Sequence, residues 1–233
     1  MKDTSETTEF FCPGPDLTIR DCIANGQITA LHHLARYRWA SEVLEGLSSG
    51  PVLDIACGAG YGSYMMAMFN PSLSFFGVDY DARAIEIARS RYTAGNLSFH
   101  VGDIVTWCDA DGKALGKFGC VVSLETIENL LHREIALINV AENLQPTGTL
   151  ILSTPSGHKQ PVLNPSREHH KIEYSGAYLF NLVSRYFAEV SYPENRSLPY
   201  MDFWDELNRD RQVYFNRMSP LVCRKPIQFG LEM

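Results

Sequence analysis

The sequence has 233 residues, 45% of them hydrophobic and 20% charged, a composition that can bury a full core and excludes a disordered or fibrous chain. With 27 acidic residues against 20 lysines and arginines, the net charge is −7, which disfavours a basic face for binding nucleic acid. The length is typical of one domain.

The sequence shows no membrane or disulfide pattern. The N-terminal residues contain no apolar core like that of a signal peptide, and the longest uncharged run, residues 55–78, is interrupted by four glycines and Pro71. The six cysteines form no CxxC pair, which indicates neither a disulfide framework nor zinc. We therefore expect a reduced, cytoplasmic protein that does not contact a membrane.

Strand and helix patterns alternate along most of the chain. Residues 1–28 are polar and predict a flexible arm, and residues 29–233 predict a single domain. The predicted helices cover 29–47, 61–69, 82–92, 130–144 and 175–186. The predicted strands cover 51–56, 75–78, 97–101, 119–124, 149–153, 187–192 and 220–224. This alternation predicts an α/β fold with a doubly wound, mostly parallel sheet of seven strands and helices on both faces. Ligands of such sheets bind beyond the carboxyl ends of the strands.

A glycine-rich turn follows the first predicted strand, in VLDIACGAGYGS (residues 52–63). Gly58, Gly60 and Gly62 allow a tight turn and a close approach of a ligand to the backbone. Asp79 lies 21 residues after Gly58 at the end of the next strand, where a carboxylate can accept hydrogen bonds from both ribose hydroxyls. The same spacing fits a nicotinamide dinucleotide site or an ordinary strand-to-helix turn.

Two further acids favour a different nucleotide. Asp54 lies inside the first strand, where a carboxylate requires a cationic or donor-rich partner. Asp103 follows the third strand and can receive an adenine amine, with helix capping as its alternative role. Together with Asp79 these acids repel a diphosphate and attract a cation that carries adenosine. S-adenosylmethionine is such a molecule.

These residues resemble the class I S-adenosylmethionine-dependent methyltransferases, and five ordered motifs between residues 30 and 192 carry the resemblance. VLDIACGAG resembles the first motif of the family, FGVDYD the acidic second-strand motif, and VGDI the adenine motif. SLETIENL resembles the fourth-strand segment, and LQPTGTLILSTP the Leu-x-Pro-Gly-Gly stretch with the fifth strand. The resemblance implies a Rossmann-like fold with an N-terminal helical cap and a C-terminal insertion.

The resemblance also implies a set of cofactor-binding residues. Asp54 would orient water or the cofactor's amino group, Gly58 and Gly60 would pass under its methionine moiety, and Asp79 would hold its ribose. The complete predicted set is Arg36, Tyr37, Asp54, Ala56, Gly58, Gly60, Asp79, Tyr80, Asp103, Ile104, Leu124 and Glu125.

Three positions depart from the family pattern. Ala56 stands where the first glycine is usual, a replacement that is tolerated when the alanine φ is negative. Thr147 replaces a glycine of the Pro-Gly-Gly turn, and Asn129 stands where many relatives have histidine, so a catalytic role there is doubtful.

The predicted N-terminal helix resembles one that closes over the cofactor in relatives. Arg36 suits a bidentate pair with the methionine carboxylate, and Tyr37 is a candidate contact. The alternative is a surface helix whose long side chains extend to solvent. Trp39 is expected to face the core.

The predicted catalytic residues lie in the segment REHHKIEYSGAYL, which resembles a His-x-x-Glu-Tyr element of bacterial enzymes that act on sugars or small metabolites. His170 is the candidate base and Glu173 orients it, with solvated loop residues or a helix cap as alternatives. No metal is expected, because adjacent histidines diverge and no third ligand has useful spacing. Glu125 and Glu128 are second-rank candidates for the base.

The predicted function is S-adenosylmethionine-dependent methyl transfer to a small-molecule or sugar-containing acceptor, with O-methylation preferred. Residues 155–174 and 193–217 are expected to be insertions on the acceptor side. N-methylation, a nicotinamide-dependent oxidoreductase and an inactive binding protein remain alternatives. The predicted assembly is a monomer or homodimer that binds no nucleic acid.

Overall fold

A computed structural model describes residues 21, 24–26, 28–47, 50–155, 159–166, 169–192 and 220–230. The chain divides into two compact units, the first formed by residues 1–103 and 109–112 and the second by residues 104–108 and 113–233. Within the described residues, no helix has the length and apolar character needed to cross a membrane.

The first unit is a parallel sheet flanked by helices. Its elements in chain order are α1 (Ile28–Glu45), β1 (Val52–Ile55), α2 (Tyr61–Phe69), β2 (Phe75–Asp79), α3 (Ala82–Arg91) and β3 (Leu97–Asp103). β2 lies between β1 and β3 and pairs in parallel with both. α2 and α3 pack on β2 and β3, and α1 packs on α2.

Local sequence explains where these elements begin. All four residues of β1 are buried, as expected for a central parallel strand that is covered on both faces. α3 begins at Asp81, whose side chain accepts a hydrogen bond from the Arg83 backbone N–H. α2 begins after Gly60, whose φ is +84°, and a Cβ atom at this position would lie 2.6 Å from the Ala88 Cβ atom. Only glycine fits this turn.

The second unit combines parallel and antiparallel strands. Its elements are β5 (Phe118–Leu124), a 3₁₀ helix (Ile127–Asn129), α4 (Arg133–Asn143), β6 (Leu144–Ser153), β7 (Val162–Leu163), β8 (Ile172–Glu173), α5 (Gly176–Val183), β9 (Phe187–Ser191) and β10 (Leu221–Pro226). β6 pairs in parallel with β5 and antiparallel with β10. β10 also pairs antiparallel with β9, and β7 and β8 form a separate hairpin.

The structure confirms the predicted α/β class and corrects the strand count. The main sheet has eight strands where the sequence predicts seven, and the additional one is the two-residue β4 (Cys108–Asp109). β6 begins at Leu144, five residues earlier than the predicted strand. Most of the predicted arm, with residues 1–20, and all of the predicted insertion 193–217 lie outside the described residues. The single-domain boundary stays a prediction.

Candidate functional site

Asp54 is a buried carboxyl in the middle of the first unit. Its exposed fraction is 1%. Its Oδ2 atom accepts a hydrogen bond of 2.5 Å from the Ser63 hydroxyl, and its Oδ1 atom accepts one of 3.4 Å from the Tyr37 hydroxyl. Burial raises the pKa of Asp54 to about 7. The negative charge of Asp79 also raises it, whereas the two hydrogen bonds lower it. The carboxyl is therefore half-protonated near neutral pH and can respond to a cation that arrives beside it.

Asp79 is fixed by two backbone donors at the end of β2. The Gly58 N–H donates to its Oδ2 atom at 2.8 Å, and the Asp81 N–H donates to its Oδ1 atom at 2.9 Å. These bonds tie the glycine turn to the second strand. Because each carboxylate oxygen has two lone pairs, one backbone donor does not by itself saturate either oxygen. The geometry is compatible with the predicted ribose contact, which stays a prediction.

Ala56 occupies the start of the turn with a φ of +64°. The condition stated for an alanine here, a negative φ, is therefore not met. A left-handed conformation costs a residue with a Cβ atom about 1–2 kcal/mol. Hydrogen bonds on the following residues hold the turn, from the Cys57 N–H to the Val78 carbonyl and from the Gly60 N–H to the Cys57 carbonyl. Strain of this kind is characteristic of ligand-binding turns.

The N-terminal helix buries polar side chains against the start of α2. Arg36 and Tyr37 are 9% and 6% exposed, which excludes the alternative of a solvent-facing surface helix. The Tyr37 ring stands edge-on to the Tyr61 ring at 5.2 Å, and a side chain on Gly62 would collide with the Tyr37 ring. Trp39 is buried, as predicted.

Two histidines on the same helix are held neutral. Burial, together with the positive charge of Arg36 as the second cause, lowers the pKa of His33 to about 3 and that of His32 to about 4. His33 Nδ1 lies 3.0 Å from the Tyr61 hydroxyl oxygen. The cationic group of this cluster at neutral pH is therefore Arg36, which suits its predicted role toward the methionine carboxylate.

The three predicted acids lie on neighbouring parallel strands of the first unit. Asp54 is opposite Gly77, two residues before Asp79, and Asp79 is opposite Val101, two residues before Asp103. No helix begins at Asp103, because the next residues form a turn, so the capping alternative is wrong. The Tyr80 side chain, 60% exposed, follows Asp79 and is accessible to a ligand.

The remaining predicted cofactor residues belong to the second unit. Ile104 and Leu124 are buried, with exposed fractions of 9% and 6%. Glu125 follows β5 with a φ of +55° and accepts a hydrogen bond of 2.9 Å from the Ser153 hydroxyl. Its backbone N–H donates to the Ser153 carbonyl, so this acid is rigidly placed at the end of the strand. Their contact with the cofactor stays a prediction.

The structure brings the two predicted catalytic residues together. His170 Nδ1 lies 3.2 Å from the Glu173 Oε1 atom, and each side chain is 14% exposed. The alternative that His169 and His170 are solvated loop residues therefore does not hold for His170, whose side chain is mostly buried. The capping alternative for Glu173 is also wrong, because Ser175 caps α5 by accepting from the Tyr178 N–H. A carboxylate at this distance stabilises the protonated imidazole electrostatically, which favours proton uptake by a general base.

Sequence reasoning missed the partners that satisfy the buried acids. Ser63, in the first turn of α2, donates to Asp54. In the second unit, Glu128 is 1% exposed and accepts a hydrogen bond of 2.7 Å from the Thr154 hydroxyl. The sequence shows that Asp54 and Glu128 are acids in apolar surroundings. Their partners Ser63 and Thr154 lie 9 and 26 residues further along the chain, and no local pattern identifies them. Within the described residues, no cluster of three metal-ligating side chains could hold a metal ion.

Comparison with known proteins gives consistent matches. A family profile described as a methyltransferase domain matches residues 47–189. The trans-aconitate 2-methyltransferase of Sinorhizobium fredii is 28% identical over 49% of this chain and 42% of its own length. The ubiquinone biosynthesis O-methyltransferase of Haemophilus ducreyi is 29% identical over 56% of each chain. The chain thus spans about half the length of the curated relatives it matches.

Solved structures share the fold at low sequence identity. An S-adenosylmethionine-dependent methyltransferase from Mesorhizobium loti superposes with a TM-score of 0.59 and 13% identity, covering 83% of this chain and 98% of that chain. This likeness concerns the fold alone.

Proposed function

The chain belongs to the methyltransferase-domain family, as its motifs predicted, and from this premise we propose that it transfers the methyl group of S-adenosylmethionine to the oxygen of a small-molecule or sugar-containing acceptor. The observation that carries the proposal is the fixed Asp79 carboxylate beside the glycine turn. The resemblance to the family implies that this carboxylate holds the cofactor ribose. Family membership argues against the nicotinamide-dependent alternative.

The first unit supplies the residues that hold the cofactor. Asp79 binds the ribose hydroxyls, Asp103 receives the adenine amine, and the buried Arg36 pairs with the methionine carboxylate. Asp54 is near the midpoint of its titration at neutral pH. The positive charge of the bound cofactor stabilises its ionised form, so the cost of burying this carboxyl falls when the cofactor is present.

The second unit supplies the base. His170, oriented by Glu173, accepts the acceptor's hydroxyl proton as the oxygen attacks the methyl carbon. The carbon–sulfur bond breaks at the same time, its electron pair passes to sulfur, and the sulfonium becomes a neutral thioether. Because the sulfonium is already an activated donor, positioning provides much of the rate and the base adds to it.

The acceptor and the assembly belong to the same proposal. The acidic balance of the chain argues against nucleic acid as acceptor, and a soluble metabolite in the cytoplasm fits the composition. We assign a monomer or homodimer.

Calorimetry with S-adenosylmethionine and S-adenosylhomocysteine tests the proposal. We expect both to bind the wild-type protein, and we expect Asp79→Ala to weaken binding at least tenfold because the ribose hydroxyls lose their acceptor. Asp111→Ala, a change of an exposed acid in the same unit, should bind like the wild type. Absence of binding to the wild type at millimolar cofactor would refute the proposal.

A further inference from the structure

One buried hydroxyl in the second unit has no role in the fold. Tyr174 directly follows β8, its exposed fraction is 0%, and its hydroxyl has no hydrogen-bond partner within the part of the chain that the structure describes. An unsatisfied buried polar group costs about 1–3 kcal/mol. Proteins retain such a group where a ligand or an ordered water completes it.

The surroundings of this hydroxyl are polar and rigid. Burial raises the pKa of Tyr174, the charge of Glu128 raises it further, and Arg133 opposes both, which places these two charged groups near the phenol. The Glu128 carboxylate is fixed by the Thr154 hydroxyl, and its backbone carbonyl accepts from the Lys171 N–H. The segment that leads to Tyr174 is thus tied to the 3₁₀ helix.

A second buried atom in the same 3₁₀ helix has no partner among the described residues. It is the Oδ1 atom of Asn129, while the amide nitrogen of that side chain donates to the Glu125 carbonyl at 3.4 Å. A phenol can donate or accept a hydrogen bond, and an amide oxygen can only accept. The Tyr174 hydroxyl can therefore donate to an oxygen of the acceptor, whereas Asn129 Oδ1 requires a separate donor.

The charges near Tyr174 favour some acceptor groups over others. Glu125, Glu128 and Glu173 all belong to this part of the second unit, at the end of β5, in the 3₁₀ helix and in β8. A carboxylate acceptor would add a like charge beside Glu128, which is 1% exposed, and the three carboxylates outnumber the Arg133 guanidinium near the phenol. A neutral hydroxyl carries no such penalty.

Resting on the methyl transfer proposed above, we propose that Tyr174, Asn129 and Glu128 form the subsite that binds the acceptor's reacting group, and that this group is a neutral hydroxyl, not a carboxylate. The hydroxyl oxygen forms the new bond to the methyl carbon while the carbon–sulfur bond breaks toward sulfur. Its proton leaves to His170. The Tyr174 hydroxyl donates a hydrogen bond to that oxygen, Asn129 Oδ1 accepts from a second donor of the acceptor molecule, and neither residue takes the reacting proton.

The first test separates binding from folding. Tyr174→Phe removes only the unpaired hydroxyl, so its melting temperature should match or exceed that of the wild type, and its dissociation constant for S-adenosylmethionine should equal the wild-type value. The matched control is Tyr178→Phe, which removes the hydroxyl of a 43% exposed tyrosine from the adjacent helix. With radiolabelled S-adenosylmethionine and a diluted metabolite extract, Tyr174→Phe should lower the initial rate of methyl incorporation at least tenfold, and the control should not.

The second test identifies the acceptor group from the product. Mild alkali releases methanol from methyl esters, whereas methyl ethers are stable, and methylated amines are retained on a cation exchanger in acid. We expect a label that survives alkali and passes through the exchanger. Methanol release, retention of the product, or full activity of Tyr174→Phe would overturn the subsite while leaving methyl transfer intact. Failure of the wild type to bind the cofactor or to form any labelled product would instead refute the methyl transfer.

Discussion

The charge of Asp54 allows a quantitative test of the first unit. Burial raises its pKa from 3.8 to about 7, with hydrogen bonds from Ser63 and Tyr37 opposing the change. Each tenfold change in proton affinity is worth about 1.4 kcal/mol, so ionising this carboxyl costs about 4 kcal/mol more in the folded protein than in the unfolded chain. The neutral form is correspondingly favoured in the cofactor-free protein.

The sign follows from the raised pKa. The stability that Asp54 contributes is fully present below pH 3.8 and is lost as the pH rises to about 7. Asp54→Asn cannot ionise, and its amide oxygen and N–H can still bond the two hydroxyls. We therefore expect the free energy of unfolding of the variant, minus that of the wild type, to rise by about 2–3 kcal/mol between pH 5 and pH 7.5.

Urea denaturation without cofactor at several pH values in this range measures the difference directly. Taking the difference between variant and wild type cancels the groups that titrate alike in both proteins. A constant difference for Asp54→Asn within about 0.5 kcal/mol would show that this carboxyl is not desolvated as the structure indicates.

Four further outcomes are expected. Gly62→Ala should lower the free energy of unfolding by about 2 kcal/mol or more, because the new methyl group meets the Tyr37 ring, and calorimetric melting would measure this. Ala56→Gly should raise it by about 1 kcal/mol by relieving the positive φ, a gain that urea titration would detect. The pKa of His33 is lowered to about 3, so its contribution to stability is present above pH 6.5 and declines as the pH falls. The free energy of unfolding of His33→Gln should therefore vary less with pH between pH 6 and 4 than that of the wild type. An unchanged slope would contradict the reasoning. His170→Ala should keep the wild-type affinity for S-adenosylmethionine and lower kcat by about 10²–10⁴-fold, whereas retained activity would show that positioning suffices without a base.

Local patterns predicted the parts of the fold that depend on neighbouring residues. The buried apolar run of β1, the glycine turn and Asp79 at the end of β2 all follow from short spacings, and the structure places them as expected. The sequence did not predict β4, because two residues carry no period. It also missed the start of β6, which begins directly after α4, because Pro146 and Gly148 are residue types that are rare in strands.

The candidate site was predictable to the extent that charged residues in apolar surroundings require partners. The sequence marked Asp54 as an acid in need of a donor, and the structure supplies that donor from Ser63 on α2 and from Tyr37 on α1. A ligand was the expected partner, yet the protein's own hydroxyls donate to both oxygens of the carboxyl. A cationic cofactor then acts on a carboxyl that is already positioned, and its binding should release a proton near pH 7 because it favours the ionised form.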